Sequence, residues 1–188
     1  MKTAVRFHRV WGPMDPMAEA FRTLAANYQR EIGVDSLEEG SIDQVLYSQE
    51  GACDRWLLVA TIVGRPVGFV HGKIDHTLRR GLGYLIEFYV VPERRGCHLG
   101  CLMAEAMCAL MHSAGAVAAW LSAVPAAEGF WERQSFVDTG FVVDGEKILL
   151  RALGMGGARH ERIPAPHKVN TGYAKVVASG TNAASGAM

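Results

Sequence analysis

The stretch Tyr84-Leu85-Ile86-Glu87-Phe88-Tyr89-Val90-Val91-Pro92-Glu93-Arg94-Arg95-Gly96-Cys97-His98-Leu99-Gly100 decides the fold. Its first eight residues are apolar, aromatic or β-branched apart from Glu87, which reads as a strand, and Pro92 ends it. After Arg94-Arg95-Gly96 the positions Leu99, Leu102, Met103, Ala106, Met107, Leu110 and Met111 recur at three- and four-residue steps. That is the stripe of a helix packed on a sheet, and Gly115 closes it in the C′ position. A strand, a tight turn and a helix start thus follow one another. Small residues in such a turn let backbone N–H groups point outward at the positive end of the helix dipole, a ready anion site. Arg94 and Arg95 add fixed charge suited to a pyrophosphate. The turn is no Walker loop, because no Gly-Lys-Ser/Thr follows.

Upstream of this segment, residues 56–63 and 67–74 are β-rich runs joined by Gly64-Arg65-Pro66, which predicts an antiparallel hairpin, and residues 76–83, with Arg79 and Arg80, read as a loop. Residues 41–48 read equally as a short helix or a loop. Met17, Phe21, Leu24, Ala25 and Tyr28 stand at helical spacing behind Asp15 as N-cap and Pro16 in the first turn, and that helix ends near Gly33. Residues 4–10 alternate apolar and polar, an opening strand. Downstream, residues 116–124 read as a strand, 125–134 as a helix with proline at its start, and 136–143 and 147–153 as a hairpin around Asp144-Gly145. The order predicts one mixed α/β domain over residues 1–153. From Gly154 the composition turns to Gly, Ala, Ser, Asn and Thr, too little apolar area to offset the entropy of ordering, so 154–188 is expected to be a flexible tail.

At 188 residues and 49% hydrophobic content, the chain is long enough to bury one substantial core. Lys+Arg and Asp+Glu stand at 19 each, so there is no basic footprint for nucleic acid. The longest apolar runs fall far short of the ~20 residues a membrane-spanning helix needs. The first residues go straight into strand-like alternation with no signal-peptide pattern, so a cytoplasmic protein is expected. Of four cysteines, Cys97, Cys101 and Cys108 crowd into one turn and helix, which fits reduced thiols better than a disulfide framework. Cys101, Glu105, Cys108 and His112 could share a helical face, but no paired Cys-x-x-Cys accompanies them, and no metal site is assigned.

Val90, Pro92, Arg95 and Gly100 resemble the acetyl-coenzyme A motif of the GCN5-related N-acetyltransferase (GNAT) superfamily, a Val-x-Pro strand end, Arg/Gln-x-x-Gly-x-Gly/Ala and a helix. His98 stands where that family usually has glycine. A second stretch, Val124-Pro125-Ala126-Ala127-Glu128-Gly129-Phe130-Trp131-Glu132-Arg133-Gln134-Ser135-Phe136, is similar to the family signature Asn-x-x-Ala-x-x-Phe-Tyr-Glu-Lys-x-Gly-Phe. The likeness covers roughly residues 4–153. It implies a mixed, mostly antiparallel central sheet of six to seven strands flanked by helices, with two central strands splayed apart. It implies acetyl-CoA as co-substrate, its pantetheine arm along the backbone of Phe88, Tyr89, Val90 and Val91. Its pyrophosphate would lie on the turn formed by Arg94, Arg95, Gly96, Cys97, His98, Leu99, Gly100 and Cys101. A primary amine of a small molecule or protein would be the acceptor, and a homodimer is common in the family.

The family transfers acetyl directly, so most of the rate comes from positioning and from N–H groups aimed at the oxyanion. A base is still needed, because an alkylamine of pKa ~10 is protonated at neutral pH. Glu87 is the catalytic candidate, as the lone acid of an apolar central strand; its other reading is a residue facing solvent or paired with an arginine. Trp131 replaces the tyrosine that usually protonates the leaving thiolate, Val124 the usual asparagine and Ser135 the usual glycine, with Tyr89 and His98 as stand-ins. His71, Asp75 and His76 flank the third strand, where acceptors enter similar folds, though such residues are more often simple loop polar groups. A likeness of residues 85–96 to aminoglycoside N-acetyltransferases adds an antibiotic acceptor, with Glu38, Glu39, Asp43, Glu50 and Asp54 as the acidic hint. A second reading is a non-catalytic acyl-CoA-binding or sensing module; a third is a metal- or redox-responsive protein.

Overall fold

The computed structural model describes residues 4–77 and 81–154. Arg79, Arg80 and, apart from Gly154, the tail expected over residues 154–188 lie outside that range. The elements run β1 (Val5–Val10), α1 (Ala18–Ile32), α2 (Ile42–Tyr47), β2 (Arg55–Ile62), β3 (Arg65–Asp75), β4 (Leu82–Val90), α3 (Leu99–Ser113), β5 (Ala118–Ala123), α4 (Pro125–Arg133), β6 (Val137–Val143) and β7 (Glu146–Ala152). The seven strands form a single sheet in the order β1-β2-β3-β4-β5-β7-β6, and every neighbouring pair is antiparallel except β4 with β5. The final hairpin is present, with β7 rather than β6 laid against β5.

Three local features differ from expectation. Met17, not Asp15, is the N-cap of α1; the Asp15 carboxylate instead accepts from the N–H groups of Met17 and Trp11, an Asx turn that delivers the chain into the helix. Arg65 and Pro66 belong to β3, so the hairpin turn shrinks to Val63-Gly64, both at positive φ (50° and 74°) as a two-residue primed turn requires. A 3-10 turn, Pro92–Arg94, precedes α3. The segment left open at 41–48 is a helix, α2. Ser41 Oγ accepts from Gln44 N–H and Gln44 Oε1 from Ser41 N–H, a reciprocal capping box.

Helices cover both faces. On one, Met103, Met107 and Met111 of α3 and Trp131 of α4 pack against Leu85, Phe88 and Val90 of β4. On the other, Phe21, Leu24 and Tyr28 of α1 pack against Leu57, Val59, Phe69 and Tyr89, with Phe21 and Tyr28 edge-on to Phe69. Each such fully buried side chain stabilises by about 1.5–3 kcal/mol.

A bulge in β4 matters most for function. His71 pairs with Glu87 and Gly72 with Leu85, which leaves Ile86 as the extra residue. Strict alternation would put Glu87 on the face of Leu85, inside the α3 core. The inserted residue reverses the parity, so Glu87 shares the α1/α2 face with Tyr89 and with His71 across the ladder.

Candidate active site

The strands β4 and β5 pair at Gly83↔Ala119 and Tyr84↔Trp120 and nowhere beyond. From Leu85 to Val90 the β5-facing edge of β4 has no strand partner, while its other edge stays paired with β3 up to Val90, and Val91 N–H still donates to Val67 O at 3.0 Å. The seam therefore opens toward the end of β4, and an exposed strand edge can take an extended, amide-bearing chain as an added strand. Phe88, Val90 and Val91 border it. Phe130 and Trp131 of α4 close its α3 side, with ring centroids 5.7 and 5.0 Å from Phe88.

At its open end the seam meets the turn and the start of α3. The first bond within that helix is Leu102 N–H to His98 O (3.3 Å), so the amides of Leu99, Gly100 and Cys101 precede it without an intrahelical acceptor. No side chain caps them, and the first turn holds no acidic residue. Gly96 (φ 72°) and His98 (φ 64°) bring the chain round in the left-handed region. Gly100 earns its place by packing: a Cβ there would lie 3.0 and 3.1 Å from Cε2 and Cζ of Phe130. The donor set fits a diphosphate, since free helix-start amides and the absence of a competing carboxylate are what such an anion requires.

The two arginines part company. Arg94 is exposed. Arg95 is spent on structure: Nη2 donates to both carboxylate oxygens of Glu31 at 2.6 Å, Nε donates to Val90 O at 2.9 Å, and the guanidinium lies 5.8 Å from the Tyr89 ring centroid. It clamps α1 to the end of β4 rather than facing the turn amides. Beside this clamp, a cavity of about 490 Å³ is lined by Asn27, Arg30, Glu31, Tyr89, Val91, Pro92 and Glu93. The Leu99 side chain is 2% exposed, so only its backbone can meet a ligand. Cys97 and His98 are exposed.

The bulge brings together a second group, on the α1/α2 face. Glu87 is 1% exposed. Its Oε2 lies 2.7 Å from Nδ1 of the fully buried His71, and its Oε1 accepts from Glu38 N–H at 2.9 Å. Nε2 of His71 lies 3.5 Å from Glu39 Oε2 and 3.4 Å from Gln49 Nε2. Glu39 also takes Lys73 Nζ at 2.6 Å and Arg55 Nη1 at 2.7 Å. Burial works to raise its pKa, but His71, Lys73 and Arg55 together outweigh burial and hold it below the ordinary carboxylate value. Glu38 behaves oppositely. Its two oxygens accept from Tyr84 Oη at 2.7 and 2.9 Å, and burial, with a smaller push from the Glu87 and Glu39 charges, lifts it to about 8 against the pull of Tyr84 and Lys73. Tyr84 is the last β4 residue paired with β5, stacked on Trp120 at 3.9 Å and 3°. Glu38 thus sits over the apex of the seam.

Glu87, the expected base, lies on the α1/α2 face, 1% exposed and with one hydrogen-bond partner on each oxygen. Glu38, Glu39 and His71 join it. Asp43 is bound to Arg22, Asp54 to His76, and Asp75 to the amide of Thr77. The helical face weighed for a metal points three ways, with Cys101 accepting from Gln134, Cys108 beside Arg151 and His112 near Ala116 O. All four cysteines are free. Trp131 is fully buried, and its Nε1 has no hydrogen-bond partner among the described residues.

A splayed parallel pair in an otherwise antiparallel sheet, with an uncapped helix start at its open end, defines the fold of coenzyme A-dependent acyltransferases. The model of the Acetyltransferase (GNAT) family matches residues 19–136, and the chain belongs to that family: it is an acetyl-CoA-dependent N-acetyltransferase. No curated protein matches it. Among solved structures it resembles the PaiA N-acetyltransferase of Thermoplasma acidophilum, in complex with coenzyme A (16% identity, 79% of this chain and 99% of that one, TM-score 0.62). It also resembles GNAT-family acetyltransferases from Streptococcus pneumoniae (17%, 80% and 100%, 0.59) and Staphylococcus aureus Mu50 (13%, 80% and 100%, 0.60). At these identities the likeness speaks to fold.

Proposed function

We propose that this N-acetyltransferase binds the arm of acetyl-CoA along the open edge of β4 at Phe88, Tyr89, Val90 and Val91. Its diphosphate lies on the backbone of Gly96, Cys97, His98, Leu99, Gly100 and Cys101, with Arg94 as the free cation. The acceptor is a primary amine that enters on the α1/α2 face. One observation carries the reading: β4 leaves β5 at Tyr84, three residues before a buried carboxylate on the α1/α2 face. The complex of the T. acidophilum relative with coenzyme A supports the donor half. In this proposal Glu87 is the anionic centre of the acceptor site. It fixes His71 and the turn at 37–40, and its charge favours the approach of an ammonium group.

Two of the five acids the sequence offered, Glu38 and Glu39, gather beside Glu87, with Arg55 and Lys73 bound to Glu39, and this polar cluster supports a polar amine as acceptor, small polyamines and aminoglycosides among them. No helix among the described residues is long and apolar enough to cross a membrane. The free thiols support a cytoplasmic location, and the exposed Val137 and Val142 on the edge strand β6 support a homodimer. Sedimentation reads the second of these directly.

The test is calorimetry with coenzyme A, followed by thiol release from acetyl-CoA with ethanolamine, spermidine, kanamycin and Nα-acetyl-lysine. Binding together with turnover of a cationic amine is expected. Tight binding with no turnover of any amine would instead favour the sensing module.

A further inference from the structure

Glu87 is 1% exposed with both oxygens partnered, and a more accessible carboxyl stands beside it. Glu38 is half-buried where Glu87 is 1% exposed. Its backbone N–H is the donor on Glu87 Oε1, so an acceptor moving toward Glu87 meets the turn carrying Glu38 first. Its carboxyl group is pinned by Tyr84 Oη at 2.7 and 2.9 Å. Because Tyr84 is the last residue before the seam opens, that pin sets the carboxyl at the apex, where a thioester laid along β4 would end. Leu37 and Gly40 close the turn through paired backbone bonds of 2.9 and 3.1 Å, which fixes the position of Glu38 without any contribution from its side chain.

We propose that Glu38 is the group that touches the acceptor nitrogen and takes its proton as the N–C bond forms. This rests on the reading of the seam as the acetyl-CoA site. The amine nitrogen attacks the thioester carbonyl, the C–S bond breaks, and coenzyme A departs as thiolate. An acceptor that arrives as ammonium first gives one proton to water so that the neutral amine can attack; the second proton, lost from nitrogen as the N–C bond forms, goes to the Glu38 carboxylate and from there to water, and the thiolate takes one proton from water. Tyr84 is a positioning residue, holding the carboxyl through its hydroxyl. The groups around Glu38 are Tyr84 and Glu87 from β4, Lys73 and His71 from β3, Glu39 beside it, and Tyr28 of α1, whose own hydroxyl is pushed well up by burial and by the charges of Glu87, Glu146 and Glu38.

Chemistry supports the assignment independently. A general base works best when its pKa lies near the working pH, and Glu38, raised to about 8, is far closer to an amine than an ordinary carboxylate. Only its deprotonated form accepts a proton, so the rate must climb with pH through that value. The Tyr84 hydrogen bond holds the value down, so its loss must move the climb to higher pH.

The experiment measures kcat/KM against pH from 6 to 10 with acetyl-CoA and spermidine, or whichever amine of the panel is turned over best, for the wild type, Glu38→Gln and Tyr84→Phe. Carboxyl ¹³C titration of the coenzyme A-bound protein accompanies it, with Glu38→Gln assigning the signal. The expected result is an inflection near 8 in the wild type that moves upward in Tyr84→Phe. In Glu38→Gln the inflection is gone and the rate is down by on the order of 10²-fold or more, with coenzyme A affinity unchanged. A Glu38 signal titrating below 6, a Tyr84→Phe profile that does not move, or a Glu38→Gln enzyme within threefold of wild type each overturns the assignment. An active wild type beside any of those leaves the acetyl-CoA reading standing, whereas failure of coenzyme A to bind removes both.

Discussion

The two halves of the site are built from different materials. The proposed donor half is contiguous, residues 88–101, and would work through backbone: an unpaired strand edge and the uncapped amides of α3. The proposed acceptor half is assembled from side chains on three segments, Glu38 and Glu39 before α2, His71 and Lys73 on β3, and Glu87 on β4. A site made of backbone tolerates side-chain change as long as the chain path holds, while a site made of buried charged side chains fails when any one member is lost. The contrast is open to direct attack from either side.

The largest effect is expected in the acceptor half. Glu87→Ala strips the buried His71 of its 2.7 Å partner and the turn at 37–40 of its anchor. Removing one member of a buried polar pair typically costs about 3–5 kcal/mol, so urea unfolding should show a loss of that size together with loss of acetyl transfer. Glu87→Gln keeps the volume and an acceptor oxygen and should lose much less stability. A Glu87→Ala protein as stable as wild type would mean that the carboxylate is not the centre of this cluster.

In the donor half the comparable test is Gly100→Ala. The added Cβ would press on the Phe130 ring at 3.0–3.1 Å, and overpacking of this kind costs about 1–3 kcal/mol. Because the ring must move for α3 to keep its place, the turn amides should shift with it, and calorimetry should show weaker coenzyme A binding. Unchanged affinity would indicate that Phe130 swings aside and that the chain path at α3 is indifferent to α4.

How far each half could be read from sequence follows from the same contrast. Strand end, turn and helix stripe were legible because their determinants lie within a few residues of one another, Pro92, Gly96, and the run from Leu99 to Met111, whereas the splayed pair came only from the family resemblance. The acceptor cluster was only half visible. Glu87 stood out as an acid in an apolar strand, yet its partners are 16 and 49 residues away, and nothing local marks Ile86 as the bulged residue that turns Glu87 to their side. Glu38 and Glu39 registered as acidic composition, without a hint that one would be raised to about 8 and the other lowered. Arg95 shows the reverse error. Its motif position suggested a phosphate ligand, but Glu31, 64 residues earlier in the chain, holds it.

That pairing supplies the next test. If Arg95 is a clamp between α1 and β4, Arg95→Ala and Glu31→Gln should be coupled in a double-mutant cycle by about 1 kcal/mol or less, as partly exposed pairs are. Coenzyme A affinity should fall by less in Arg95→Ala than in Arg94→Ala. The opposite ranking would return Arg95 to the diphosphate.

The smallest effect concerns two places where the chain departs from the family pattern, His98 and Ser135, each standing where glycine is usual. Both lie in the left-handed region, at φ 64° and 63°. A residue with a Cβ is strained there by roughly 1–2 kcal/mol, part of which glycine gives back through the extra freedom of its unfolded chain. His98→Gly and Ser135→Gly should therefore each stabilise the protein by about 0.5–1 kcal/mol, readable as a rise in urea midpoint at unchanged slope. The two should differ in function. Ser135 lies after α4 and supplies none of the turn amides, so Ser135→Gly should leave coenzyme A binding as it was. His98 is the N-cap of α3, exposed beside the amides assigned to the diphosphate. If its imidazole takes part in holding that anion, His98→Gly weakens coenzyme A binding while stabilising the fold. If backbone alone does the work, as the comparison of the two halves holds, coenzyme A affinity is the same in His98→Gly as in the wild type.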